Sequence, residues 1–270
     1  MQARRLPAER GTFWLFEGFR LFRRNPPLIT ALTLAYLLVV QVLAALLPGI
    51  GPILLPLLLP ALTLIVANGV RLVDEGRAPG KATLLRGLAG NAPAMLRLGG
   101  LQLAGAVLLV LLNLALNAGA DPLAGLDPAT VAPNMGEPGA APDVPAAEAA
   151  ALGALLRLML LALPLILAFW FAPFLVGWDR VSPLKSVFFS TVAAWRNWRA
   201  MGMFALGAVV VAGIVPGLIL ILASQIAGLA LSVAFVALRM VLIFLVAPVL
   251  TASIYVSYRD IFHSGIDTDA

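Results

Sequence analysis

Six long apolar stretches alternate along this chain with short segments that hold nearly all of its cations. A membrane-spanning helix needs about 20 mostly apolar residues. The stretches at about 28–47, 53–70, 98–117, 157–178, 200–222 and 227–257 meet that need. Prolines fall inside the second (Pro56, Pro60), fourth (Pro164, Pro173), fifth (Pro216) and sixth (Pro248). In lipid, neighbouring helices can satisfy the carbonyls that a proline frees, so the pattern predicts kinked spans.

The cations set the threading. Sixteen of the eighteen Lys and Arg residues lie in residues 1–27, 71–97 and 180–199 and at Arg259. Cytoplasmic loops retain Lys and Arg whereas translocated loops are depleted of them. Six crossings with both termini in the cytoplasm follow. The predicted translocated loops agree: Pro48–Pro52 and Ser224–Gln225 are tight and uncharged, and 118–147 holds Asp121, Asp127, Glu137 and Asp143 without a cation. The prolines and glycines of 118–147 predict a disordered loop. Residues 261–270 read as a flexible cytoplasmic tail.

Composition narrows the class. Apolar residues make up 61% of the chain and charged residues 11%, against roughly 45–50% and about 25% in soluble domains. A soluble globular protein is excluded. The net charge of +5 could point to nucleic acid, but the cations adjoin apolar spans, which suits anionic lipid headgroups instead. No nucleic-acid partner is expected. With no cysteine there is no disulfide, thiolate metal site or thiol nucleophile. Arg4 and Arg5 resemble the start of a signal peptide, but Glu17, Arg20, Arg23 and Arg24 interrupt the next stretch, so no cleavable leader is expected.

An internal repeat is visible. Glu75-Gly-Arg-Ala-Pro79-Gly-Lys81-Ala-Thr-Leu-Leu85 matches Asp179-Arg-Val-Ser-Pro183-Leu-Lys185-Ser-Val-Phe-Phe189. Asn91 and Asn197 follow, each opening a span, and Asn25 does the same after the N-terminal segment. Each unit reads as a short cytoplasmic helix, a span, a translocated loop and a Pro-containing span. The predicted fold is therefore an all-α polytopic bundle, with an amphipathic interfacial segment over 1–27 and a membrane domain over 28–260. Its six transmembrane helices form three helix-elbow repeats.

The elbows are amphipathic. At 100° per residue Trp14, Leu15, Gly18, Phe19, Leu21 and Phe22 share one arc, opposite Glu17, Arg20, Arg23 and Arg24, with Phe13 and Phe16 as exceptions. After Ser182, a candidate N-cap, Leu184, Val187, Phe188, Thr191 and Trp195 share one face. An apolar face with a basic rim suits a helix lying in the membrane interface. Interfacial lipid contact is thus expected at Trp14, Arg20, Arg23, Arg24, Lys185, Trp195 and Arg196. Orienting the next span and sensing headgroups are both open roles for these helices.

Within the spans, Arg157 and Arg239 stand out, because intramembrane charges are functional candidates. Each lies about 20 residues from a cytoplasmic exit, where it can snorkel to the translocated interface. Interfacial anchoring and a shared anion-binding or gating site, with Gln102 and Asn113, both remain open. The remaining neutral amides read as helix bridges. Gly213-Ile-Val-Pro-Gly217 has the GxxxG spacing of close helix packing. No carboxylate lies mid-span, His263 is expected to be a solvated tail residue, and no hydrolase, P-loop or metalloprotease motif occurs. No catalytic residue, cofactor or metal is expected.

The motifs Arg4-Arg5-Leu6-Pro7, Gly18-Phe19-Arg20-Leu21-Phe22 with Asn25-Pro26, and Phe169-Trp170-Phe171-Ala172-Pro173 carry a resemblance. They continue in Phe188-Phe189-Ser190, Arg196-Asn197-Trp198-Arg199 and Ser257-Tyr258-Arg259-Asp260. The chain resembles a family of uncharacterised proteobacterial multipass inner-membrane proteins. That family is similar to the membrane domain preceding the catalytic domain in some glycerophosphodiester phosphodiesterases. The resemblance implies the fold and the bacterial inner membrane. Without a recognisable phosphodiesterase domain it does not bring that activity. Two functions stay open. One is a non-enzymatic module that binds or organises anionic lipid, a membrane-protein partner or a second copy; the other is a transporter or channel for a small amphiphile.

Overall fold

The computed structural model describes residues 3–47, 49–117, 144–225 and 229–263. Every regular element among them is helical: α1 (Arg10–Arg24), α2 (Pro26–Leu46), α3 (Gly51–Asp74), α4 (Lys81–Leu84), α5 (Ala92–Asn117), α6 (Val144–Phe169), α7 (Ala172–Gly177), α8 (Pro183–Arg196), α9 (Trp198–Val209), α10 (Val215–Ser224), α11 (Leu229–Val241) and α12 (Ala247–Phe262). Six helical stretches are long and apolar enough to cross a membrane: Pro26–Ala45, Gly51–Asp74, Ala92–Leu116, Leu152–Gly177, Trp198–Ser224 and Ser232–Phe262. The chain is an all-α six-span bundle with short elbow helices ahead of its odd-numbered spans.

The prolines are accommodated in three ways. Helix α3 runs through Pro56 and Pro60. In the fourth span the helix breaks at Trp170–Phe171, ahead of Pro173. There the Ser190 hydroxyl of α8 donates to the Leu167 carbonyl (2.9 Å) and accepts from the Phe171 N–H (3.0 Å). A side chain from the neighbouring elbow thus repairs the ladder that the break opens. In the fifth and sixth spans, π turns at Val210–Ile214 and Leu242–Val246 end two residues before Pro216 and Pro248. They join α9 to α10 and α11 to α12, and they touch each other. A π turn shifts the hydrogen-bond register, making room for a residue with no N–H to give.

The core gathers at one end of the bundle, where the cations also collect. Trp14, Leu21, Phe171, Phe174, Val256 and Ile261 are all buried there. Helix α1 lies along α9 and α12 and approaches them at two glycines. A Cβ on Gly11 would strike the Ala200 and Phe204 backbone, and one on Gly18 would strike Ser253. Ahead of α1, the Arg4 N–H donates to the Ile261 carbonyl (3.1 Å), so head and tail of the chain meet at this basic end.

Several expectations change. Trp14 is 1% exposed, so it contacts protein rather than lipid; the outward aromatic residues of α1 are Phe13, Phe16 and Phe19. Nothing lies within 4 Å of a Cβ placed on Gly213 or Gly217, so that GxxxG pair is not a packing seam. Helix α6 begins at Val144, inside the expected 118–147 loop, whose residues 118–143 lie outside the described residues. Helix α12 continues to Phe262 with Ile261 fully buried. The expected tail therefore starts as bundle, and 264–270 lie outside the described residues.

Candidate functional site

Each returning span ends in a carboxylate at the basic end: Asp74 closes α3, Asp179 follows α7, and Asp260 lies in the last turn of α12. Each is held from another element. Asp74 accepts from the Tyr255 hydroxyl (2.9 Å) and from Arg259, with Arg24 at 3.7 Å. Asp179 accepts from the Tyr258 hydroxyl, and His263 Nε2 stands 3.5 Å from it. Asp260 takes two bonds from Arg10 (2.7 and 2.8 Å) and one from Trp14 Nε1 (2.9 Å). Asp260 is 6% exposed, so this fork is stronger than a surface ion pair. The bond from Trp14 also explains why that side chain turns inward.

The three asparagines that open spans do different work. Asn25 Oδ1 accepts from the Leu28 N–H (3.2 Å), capping α2. Asn91 Nδ2 donates to the Val176 carbonyl on α7 (2.9 Å). Asn197 is buried and clasps the N-terminal segment, donating to the Arg4 carbonyl (2.8 Å) and accepting from the Leu6 N–H (2.8 Å). One repeated residue type gives one cap and two clamps. At Ser182 the position is the expected N-cap, but the hydroxyl makes no capping bond.

Between these clamps lies a cavity of about 530 Å³. Arg71, Glu75 and the 86–91 turn form one side; Trp178, Asp179 and Arg180, with Tyr255, Tyr258, Arg259 and His263, complete it. The repeat-related acids Glu75 and Asp179 thus share one space. Asn68 shapes its wall. Its amide donates to the Leu84 and Arg86 carbonyls (2.8 Å each) and accepts from Trp178 Nε1 (2.8 Å). Trp178 stacks on Phe174 (centroids 5.1 Å apart, 15° between planes), and the Arg71 guanidinium lies 5.1 Å above it.

The backbone around this cavity is unusual. Gly87 and Gly90 both have φ of +82°, a conformation open to glycine. A Cβ on Gly87 would also meet the Gly177 carbonyl. Among the described residues Arg180 is the non-glycine with positive φ, at 54°, which costs about 1–2 kcal/mol. Such strain clusters at functional sites.

Electrostatics single out two of the arginines. Arg71 is paired with Glu75 (2.7 Å) and Arg259 with Asp74. Arg86 and Arg180 line the cavity, are exposed, and have no carboxylate within 4.0 Å among the described residues. The space therefore carries a cationic surplus while its acids are already engaged.

A second cavity, about 540 Å³, is wholly apolar and lies between α1 and the two π turns, lined by Leu15, Phe16, Met203, Val211 and Leu245 among others. Neither cavity is lined by Arg157, Arg239, Gln102 or Asn113. Arg157 and Arg239 are exposed on α6 and α11; Gln102 and Asn113 are half-buried in α5. Arg20, Arg23, Arg24, Lys185, Trp195 and Arg196 are exposed at the basic end. His263, expected in solvent, is 39% exposed and lines the rim of the polar cavity.

A curated protein of Burkholderia thailandensis, named as a probable inner membrane protein, is 30% identical over 210 residues, covering 76% of this chain and 74% of its own length. The chain belongs to that protein's family. No family profile matches it, and no solved structure does. With six apolar helices, this member of the inner-membrane family is a multi-pass protein of the inner membrane.

Proposed function

We propose that this inner-membrane protein is a non-enzymatic module whose basic end faces the cytoplasm and binds and organises anionic lipid, or a partner carried in that lipid. The observation behind this is α8. It turns Leu184, Phe188 and Trp195 outward, at 70, 63 and 77% exposed, while Ser186, Ser190, Ala193 and Ala194 are buried against the protein. That order is the reverse of a helix on a water-soluble core. It suits a helix whose outer face meets acyl chains at the interface. Lys185 and Arg196 edge this face, and the Arg199 guanidinium lies 5.5 Å over Trp198. Each such cation adds about 1 kcal/mol of attraction near an anionic leaflet. The outward Phe16 and Phe19 of α1, beside Arg20 and Arg23, extend the same surface.

The cytoplasmic assignment rests on the retention of cations there. The resemblance to a membrane domain of glycerophosphodiester phosphodiesterases supports a membrane role apart from catalysis. Transport has less behind it, since neither cavity reaches the residues a path would need. The test is native mass spectrometry of the full chain released from nanodiscs of phosphatidylglycerol and phosphatidylethanolamine. We expect phosphatidylglycerol to be retained in preference, and the preference to fall several-fold in a Lys185→Gln/Arg196→Gln/Arg199→Gln variant. Equal retention of the two lipids by the unaltered protein would overturn the proposal.

A further inference from the structure

The polar cavity has the makings of a site for one particular group. Two arginines with acids attached (Arg71, Arg259) and two without (Arg86, Arg180) converge on it, together with His263. A guanidinium is always charged and presents a planar fork that matches phosphate oxygens. The acids that would repel an anion are covered. Asp179 is engaged by the Tyr258 hydroxyl and His263, and Glu75 by Arg71 and Arg77. The two uncommitted cations sit on turns with left-handed backbone, next to Gly87 and at Arg180 itself, as also occurs at Gly76 beside Glu75. The left-handed backbone at Arg180 closes α7, since the next N–H, that of Val181, donates back to the Leu175 carbonyl (3.0 Å), and the turn leaves the Arg180 side chain exposed at the cavity without a carboxylate partner among the described residues.

We infer that this cavity binds a doubly charged phosphate group, a phosphomonoester, between Arg86 and Arg180. The inference rests on the reading above that the basic end handles anionic lipid, and it sharpens that reading to one headgroup chemistry. Phosphatidylglycerol carries a single phosphodiester charge and satisfies one arginine; a phosphomonoester carries up to two and presents three terminal oxygens. The group can arrive on a lipid, as in phosphatidic acid, or on a water-soluble molecule such as glycerol 3-phosphate. The chemistry of recognition is shared.

Two binding arms separate the sources, both on the full-length protein. In nanodiscs, phosphatidic acid is compared with phosphatidylglycerol by native mass spectrometry. In detergent, inorganic phosphate and glycerol 3-phosphate are titrated by calorimetry. Arg86→Gln and Arg180→Gln are each expected to weaken phosphomonoester binding by roughly tenfold, as befits a lost charge-assisted hydrogen bond. Retention of phosphatidic acid with no heat from the soluble ligands identifies a lipid; binding in both arms identifies the soluble group as sufficient. Arg180→Gly guards against a folding artefact. It relieves the positive φ, so melting temperature holds or rises while phosphomonoester binding falls; a purely structural arginine would lose both. Binding in the calorimetric arm alone identifies a soluble ligand; phosphatidic acid bound no better than phosphatidylglycerol together with no heat from the soluble ligands, or phosphomonoester binding unchanged in the Arg86 and Arg180 variants, overturns the inference. If the Lys185/Arg196/Arg199 variant still loses phosphatidylglycerol in that case, the broader proposal survives alone.

Discussion

The two ends of this bundle are built by different rules. At the basic end, Asn68, Ser190, Asn197, Ser253 and Asp260 are buried and each is hydrogen-bonded, and aromatic rings from α7 and α12 interlock around Trp178 and Tyr258. Toward the other end, α5 exposes Leu108, Leu111 and Leu114 and α10 exposes Leu218, Ile221 and Leu222. Lipid tails are as apolar as leucine, so burying such side chains against protein offers little driving force, whereas packing and polar bonds do. The lesson is that specificity in this fold is concentrated where the chain can spend polar groups. The remainder spans.

That contrast ranks the effects of substitutions. The largest is expected for Asp260→Ala, which strips two bonds from Arg10 and one from Trp14; each hydrogen bond to a charged group is worth about 1.5–3 kcal/mol. Thermal unfolding in detergent should show a pronounced loss. Next comes Asn68→Leu, which strands two carbonyls and an indole N–H for about 1–3 kcal/mol; limited proteolysis should then open the 84–90 turn before any span. Gly87→Ala should cost about 1–3 kcal/mol through its positive φ and reduce phosphomonoester binding as well. Smallest of all is Ile221→Ala, within about 0.5 kcal/mol, because its side chain already faces outward. An Ile221→Ala loss equal to that of Asn68→Leu would erase the distinction between the two ends.

How far the sequence carried differs by feature. The spans were legible because about 20 apolar residues have one use in a bilayer, and the prolines inside them misled nothing. The repeat located Asn25, Asn91 and Asn197, yet their roles depend on what lies opposite: Leu28 of the same helix, Val176, or the N-terminal segment. Trp14 was misplaced for a physical reason. An elbow helix has apolar neighbours on both sides, lipid and protein, so its amphipathicity does not say which face goes where. The polar cavity was invisible because its walls come from turns near 86–91 and 177–180 and the end of α12, far apart in sequence. Arg86 and Arg180 read only as two members of topology-setting clusters. Gly87 and Gly90, in the segment after Lys81, bear on it in the sequence, since glycine accepts the left-handed turns found there.

The claim beneath everything else is that the basic end, with its cavity and its outward α8, faces the cytoplasmic leaflet. The chain has no cysteine, so single cysteines report side without background. Gly80→Cys lies at the exposed basic end and Gly49→Cys in the exposed turn between α2 and α3. Intact cells treated with a membrane-impermeant maleimide should label Gly49→Cys at once and Gly80→Cys only after lysis. Labelling of Gly80→Cys in intact cells, with Gly49→Cys protected, would contradict the account.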